Sequence, residues 1–194
     1  MPAWYEQALW IGADAHVSMR CLTSLFEDGI SRFPGYDSIY FAYGRSFVPR
    51  WGGSYATADA FIRAAAASKT NPEGEELYTR LYWLLDQYNG QDQDFFTASR
   101  VRWPRMRAGF EPLIKRYPSS AWNQANLVIY ACRTSDGALY YKWRKTVDAR
   151  QFVQAAPQGI SPEVAMHGLR RGPRTGESSR GALICRPNRI PCGS

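Results

Sequence analysis

The chain has 194 residues, enough for an ordinary domain with a real core, and its 45% hydrophobic and 14% aromatic content fits a globular protein. The net charge is +7, yet residues 167–194 hold six arginines against Glu177, so residues 1–166 carry only +2 and the basic character is concentrated in a tail. Four cysteines without a C-x-x-C, and two histidines, do not suit a disulfide scaffold and give a zinc site little support, while no run of 18 apolar residues spans a membrane.

The first residues, MPAWYEQALWIGADAHVSMR, lack a basic leader followed by a long apolar run, so they do not read as a signal peptide and the cytoplasm is the expected location. Residues 17–33 place Leu22, Phe26, Gly29, Ile30 and Phe33 three and four apart, predicting a helix that Pro34-Gly35 stops. A helix over 36–48 follows, with Ile39, Tyr40, Tyr43 and Phe47 on one side. Glycines 52 and 53 make a turn, and an alanine-rich helix runs from about 55 to 68. Asn71-Pro72-Glu73 predicts a capped helix start with Glu73, Glu75 and Glu76 at the positive end of its dipole. Leu77, Leu81, Leu84 and Tyr88 continue that helix to Asn89-Gly90. Trp103-Pro104 opens another, with Met106, Phe110, Leu113, Ile114 and Tyr117 inward and Pro118 as its stop. Residues 120–133 and 137–147 predict a last pair, and a short helix begins at Pro162. No stretch alternates with period two, so no strand is expected.

Two segments correspond at an offset of 84: Phe26-Glu27 with Phe110-Glu111, Ile30 with Ile114, and Arg32-Phe33-Pro34 with Arg116-Tyr117-Pro118. Leu22, Phe26, Gly29 and Pro34 have the spacing of a tetratricopeptide second helix, and Tyr40, Tyr43, Gly44 and Phe47 that of its first. The second copy, with Gln124, Leu127, Val128 and Ala131, lacks the aromatics and the glycine, so the array is degenerate. The expected architecture is therefore all-α, a tetratricopeptide-like helical-hairpin array over 1–166 followed by a flexible basic tail over 167–194.

R-W-G-G-S at 50–54, L-Y-T-R-L-Y-W at 77–83 and R-Y-P-S-S-A-W-N at 116–123 also resemble an uncharacterised bacterial family with a tetratricopeptide-like helical fold. The resemblance covers roughly residues 20–166 and leaves out the tail. It implies a fold and carries no catalytic role.

The candidate binding residues are Arg50, Trp51, Gly52, Gly53, Ser54, Tyr40 and Tyr43. As an anion site, Gly52 and Gly53 would bring backbone amides to an oxyanion, with Ser54 and Arg50 adding a hydroxyl and a charge. As a turn, one glycine adopts the left-handed region, Trp51 packs over the junction and Ser54 starts the next helix. The Walker lysine is missing, and no strand precedes the glycines. DQYNGQDQD at 86–94 lacks the last EF-hand glutamate and reads as a polar loop. His16 and His167 have no cysteine or acid cluster beside them, so neither a metal nor a catalytic site is expected. Cys21 and Cys132 read as small hydrophobes on apolar helices.

Trp4, Trp10, Tyr36, Tyr40, Tyr43, Trp83, Trp122 and Trp143 exceed what repeat spacing requires. The concave face of a helical array binds peptides, and aromatics anchor them. The sequence thus favours a non-catalytic protein- or peptide-binding module without a cofactor. Its alternative is an enzyme or small-anion-binding domain using the turn at 50–54. Nucleic acid enters only through the basic tail.

Overall fold

A computed structural model of the chain describes residues 1–88, 95–148, 150, 151 and 154. Among these residues every regular element is helical and none is a strand. The expected helix at Pro162 and the tail over 167–194 lie outside the described residues. The chain divides into two compact units, residues 1–89 with 99–101 and residues 90–98 with 102–194, a division that falls inside the stretch 1–166.

In the first unit, α1 spans Pro2–Asp14, a helix the sequence reading did not anticipate. Pro2 suits a first turn, and Tyr5, Leu9 and Gly12 bury a narrow stripe at spacings of four and three. α2 spans Met19–Arg32 and starts on Ser18, whose hydroxyl accepts from the Cys21 amide. It buries Leu22, Phe26 and Gly29. A Cβ on Gly29 would lie 2.9 Å from the Tyr5 ring, so only glycine allows α2 this close to α1. Cys21 itself is exposed, a correction to its reading as a packed hydrophobe.

α3 covers only Ser38–Gly44, shorter than the expected 36–48. The helical path tightens into a 3-10 turn after Gly44 and stops at Val48, which Pro49 pushes into the extended region at φ −68°, ψ 132°. Two 3-10 turns, Arg45–Phe47 and Pro49–Trp51, flank it. α4 spans Tyr55–Ala67 and α5 spans Glu73–Gln87. The α5 start corrects the expected asparagine cap: Pro72 holds the capping position and no side chain caps it. The three glutamates do lie in the first turn. α5 is also buried on nearly every side, including Leu77, Tyr78, Leu81, Tyr82 and Leu85, and not along one stripe.

Within this unit α1 packs on α2 and α3, α2 on α3, α3 on α4 and α5, and α4 on α5. The odd-numbered helices thus form a continuous row of neighbours. Phe26, Tyr40, Tyr43, Phe47 and Phe61 interlock in the core, with Phe26 stacked on Tyr43 at 4.3 Å and Phe47 on Phe61 at 4.9 Å between centroids.

In the second unit, α6 is the single turn Phe95–Ala98, α7 is Trp103–Arg116, α8 is Ala121–Arg133 and α9 is Gly137–Trp143, followed by a 3-10 turn Arg144–Thr146. α7 buries Met106, Phe110, Leu113 and Ile114 as its spacing predicts. Tyr117, expected inward, is exposed because it follows the last helical residue, where the chain leaves the helix. α8 packs on both α7 and α9, and Ala125, Val128, Ile129, Tyr140 and Val147 share one core. Cys132 is buried in that core, among apolar neighbours.

Asp136 ties this unit together. One carboxylate oxygen accepts the Leu139 amide and caps α9, while the other accepts from Trp103 Nε1 at 3.2 Å and Arg107 Nη1 at 3.0 Å. Asp136→Ala removes the cap and strands the indole N–H, at a cost of about 1–3 kcal/mol. A thermal melt should show the loss; an unchanged midpoint would mean that α9 is held by its apolar face alone.

The offset-84 correspondence has a structural counterpart. α2 and α7 each have 14 residues and end with closely similar dihedrals, Phe33 at φ −133°, ψ 63° and Tyr117 at φ −127°, ψ 66°. In both, the aromatic amide donates four residues back at 2.9 Å and its carbonyl accepts from three residues on at 3.0 Å. The proline that follows each aromatic cannot continue the helix.

Candidate functional site

The glycine turn is built from two different constraints. Gly52 lies at φ 90°, ψ 1°, the left-handed region that reverses the chain after Trp51. Gly53 has an ordinary φ, but a Cβ there would lie 2.1 Å from the Phe47 carbonyl oxygen. The amides of Trp51 and Gly53 donate to Val48 and that of Gly52 to Pro49. Ser54 starts α4 with a reciprocal cap: its hydroxyl accepts the Thr57 amide at 3.1 Å, and the Thr57 hydroxyl accepts the Ser54 amide at 3.0 Å. All four amides over 51–54 are therefore committed within the turn, leaving none aimed outward at an anion. Arg50 is exposed beside them.

The turn presents Trp51. Its ring lies 4.3 Å from the Arg45 guanidinium, and Trp10 of α1 lies 4.5 Å from the same group. Arg45 is thus held between two indoles, a cation–π arrangement that suits a planar, weakly hydrated cation. Arg45 Nη1 is 2.8 Å from Asp14, close enough for strong attraction though not aligned as a hydrogen bond. Tyr88, at the end of α5, meets Trp51 edge-on at 4.6 Å. The strip Asp14–Trp10–Arg45–Trp51–Tyr88 joins the ends of α1, α3 and α5 within the first unit. Trp51 is 40% exposed, whereas the Arg45 side chain is 14% exposed.

Tyr40 and Tyr43 do not join this strip. Both are buried in the aromatic core, a correction to their reading as surface anchors. The Tyr43 hydroxyl is 2.7 Å from that of Thr23, which satisfies it inside the fold. Arg45 and Asp14 escaped sequence reasoning, because the residues they meet lie far away in the chain. The surplus of tryptophans was the available signal.

Neighbouring charges serve structure. Asp37 receives Lys69 at 2.7 Å and Arg80 at 3.1 Å, and Arg80 also lies 4.4 Å from the Phe41 ring. A small void between Gly44, Val48, Ile62 and Leu85 has an apolar lining and offers no polar group to a ligand. His16 is exposed in the turn after α1. Among the described residues, no three His, Cys, Asp or Glu side chains are grouped to hold a metal, and no helix is long and apolar enough to cross a membrane.

The arrangement defines a class only: a helical protein with a preorganised aromatic–arginine strip. Compared with protein-family models, characterised proteins and solved structures, the chain matches none.

Proposed function

We propose that the first unit is a peptide-binding helical-hairpin array of the tetratricopeptide-like kind, without chemistry of its own, and that the bacterial-family resemblance of 50–54, 77–83 and 116–123 reflects that architecture. The observation that carries this reading is the strip itself. Tryptophan, tyrosine and arginine dominate binding hot spots, and here they are preassembled on one row of neighbouring helices, so little entropy is lost on docking. The packing pattern also supports it. Each odd-numbered helix touches the next odd one and the even one between them, the neighbour scheme of a hairpin array.

The test is peptide selection on the full chain from a random displayed library, followed by affinity measurement on variants. Trp51→Ala should weaken a selected peptide by about 2 kcal/mol, ~30-fold. Arg50→Ala, outside the strip, should leave it within about twofold. Peptides that bind Trp51→Ala as well as wild type would sink the proposal. Thermal stabilisation by phosphate that disappears in Arg50→Ala would favour the anion-binding alternative instead.

A further inference from the structure

The near-neutrality of residues 1–166 conceals a division. The first unit holds eight lysines and arginines against ten acids, a net −2. Residues 90–98 and 102–154 hold ten against five, a net +5 before the basic tail is counted. The second unit is therefore a cationic body in its own right.

Its topology gathers part of that charge at one end. Residues 117–120 connect α7 to α8 and residues 134–136 connect α8 to α9, and such short links make consecutive helices antiparallel neighbours. The C-terminus of α7, the N-terminus of α8 and the C-terminus of α9 then share an end. Val147, just past α9, shares a core with Ala125 near the start of α8, in keeping with that placement. Lys115 and Arg116 come from α7, Lys142 from α9, and Arg144 and Lys145 from the turn after it. Lys115, Lys142 and Lys145 are exposed, and no acid pairs with them or with Arg144 among the described residues.

Aromatic rings stand among these cations. Tyr117 is 50% exposed, Trp122 44% and Tyr141 45%. They are the exposed large hydrophobics of the second unit's described residues, and none is Leu, Ile or Phe. Tryptophan and tyrosine also occur at membrane interfaces, but an interfacial helix sets them in a continuous apolar face, and among the described residues of this unit no exposed Leu, Ile or Phe extends these three rings into one. Planar rings beside exposed lysines match a strand of bases on a phosphate backbone. The Arg144 guanidinium lies 5.7 Å from the Tyr141 ring, so charge and stacking face are already adjacent.

We infer that this end of the second unit, with Lys115, Lys142, Lys145, Trp122 and Tyr141, binds single-stranded nucleic acid, its cations following the phosphates and its rings stacking on bases. The residues named lie outside the stretch 167–194, and the inference does not depend on the peptide-binding reading.

The test uses the full chain, with its tail, and a fluorescein-labelled 20-residue oligouridylate followed by anisotropy at 50 and 200 mM salt. Wild type should bind, more weakly at the higher salt. Lys142→Glu with Lys145→Glu should weaken binding at least about tenfold. Tyr141→Ala, which leaves the charge unchanged, should weaken it by about five- to tenfold. Thermal melts of each variant separate lost binding from lost folding, and the lysine variant alters only exposed side chains. Variants that bind like wild type would transfer the activity to the tail and overturn the inference. So would a wild type that does not bind, or one that binds phosphatidylserine vesicles through these residues but not the oligonucleotide.

Discussion

Gly53→Ala should be the most damaging single-methyl change in the glycine turn, well ahead of Gly52→Ala. The added Cβ at position 53 would meet the Phe47 carbonyl oxygen at 2.1 Å and the Phe47 Cα at 2.7 Å. These are backbone atoms and cannot rotate aside, so the turn must open. Opening breaks the Gly53-to-Val48 hydrogen bond and displaces the Ser54 cap of α4. The expected cost is about 3 kcal/mol or more, a midpoint lower by roughly 6–12 °C for a chain of this size. At Gly52 the same methyl meets nothing within 4 Å, and only its φ of +90° opposes it. That costs about 1–2 kcal/mol. Urea denaturation of both variants checks the order. Equal stabilities would show that the close approach at Phe47 relaxes freely.

Asp59→Ala should come close to that loss. Asp59 lies on α4 with its side chain 9% exposed, and Arg63 Nε donates to both its oxygens, at 2.9 and 3.0 Å. The Tyr82 hydroxyl of α5, fully buried, donates to the same carboxylate. Removing the acid strands a buried hydroxyl and leaves Arg63 without its partner. Breaking a buried pair costs about 3–5 kcal/mol, but Arg63 is 46% exposed and water recovers part of it, so about 2–3 kcal/mol is expected. Tyr82→Phe should cost about 1–2 kcal/mol.

The same contact has a pH signature. Burial, and then the bond to Asp59, push the Tyr82 phenol far above its ordinary value, and burial also raises Tyr55 and Tyr140. The folded state therefore keeps protons that the unfolded chain releases near pH 10. This contribution is complete below about pH 10 and is lost as pH rises beyond it. Stability should fall above pH 10, and less steeply in Tyr82→Phe. Tyrosinate absorbance at 295 nm that titrates fully before unfolding would contradict it.

Much of the helix pattern was legible because its signals are local. Ser54 starts α4, the apolar stripe of α7 is buried, and two aromatic–proline junctions 84 residues apart stop their helices in the same way. Each depends on groups within four residues, which a sequence displays directly. α1 was missed because its buried stripe is three residues wide while Trp4 and Ile11 stay exposed on another side. α3 was drawn too long because residues 45–47 keep a helical path but tighten into a 3-10 turn, a change that the spacing of the aromatics does not show.

What the sequence by itself determined is the helical class, most helix limits and the need for glycine in the turn, since propensity, capping and steric exclusion act between near neighbours. Only the tertiary structure decided which aromatics face solvent. Tyr40 and Tyr43 sank into the core because α3 is flanked by α1, α2, α4 and α5. Arg45 found its two indoles because Trp10, 35 positions earlier, comes in on α1 and Trp51 is turned back by Gly52. The separation of an acidic unit from a basic one was likewise invisible in a total of +2 over 1–166, because a sum over the chain keeps no record of which charges fold together.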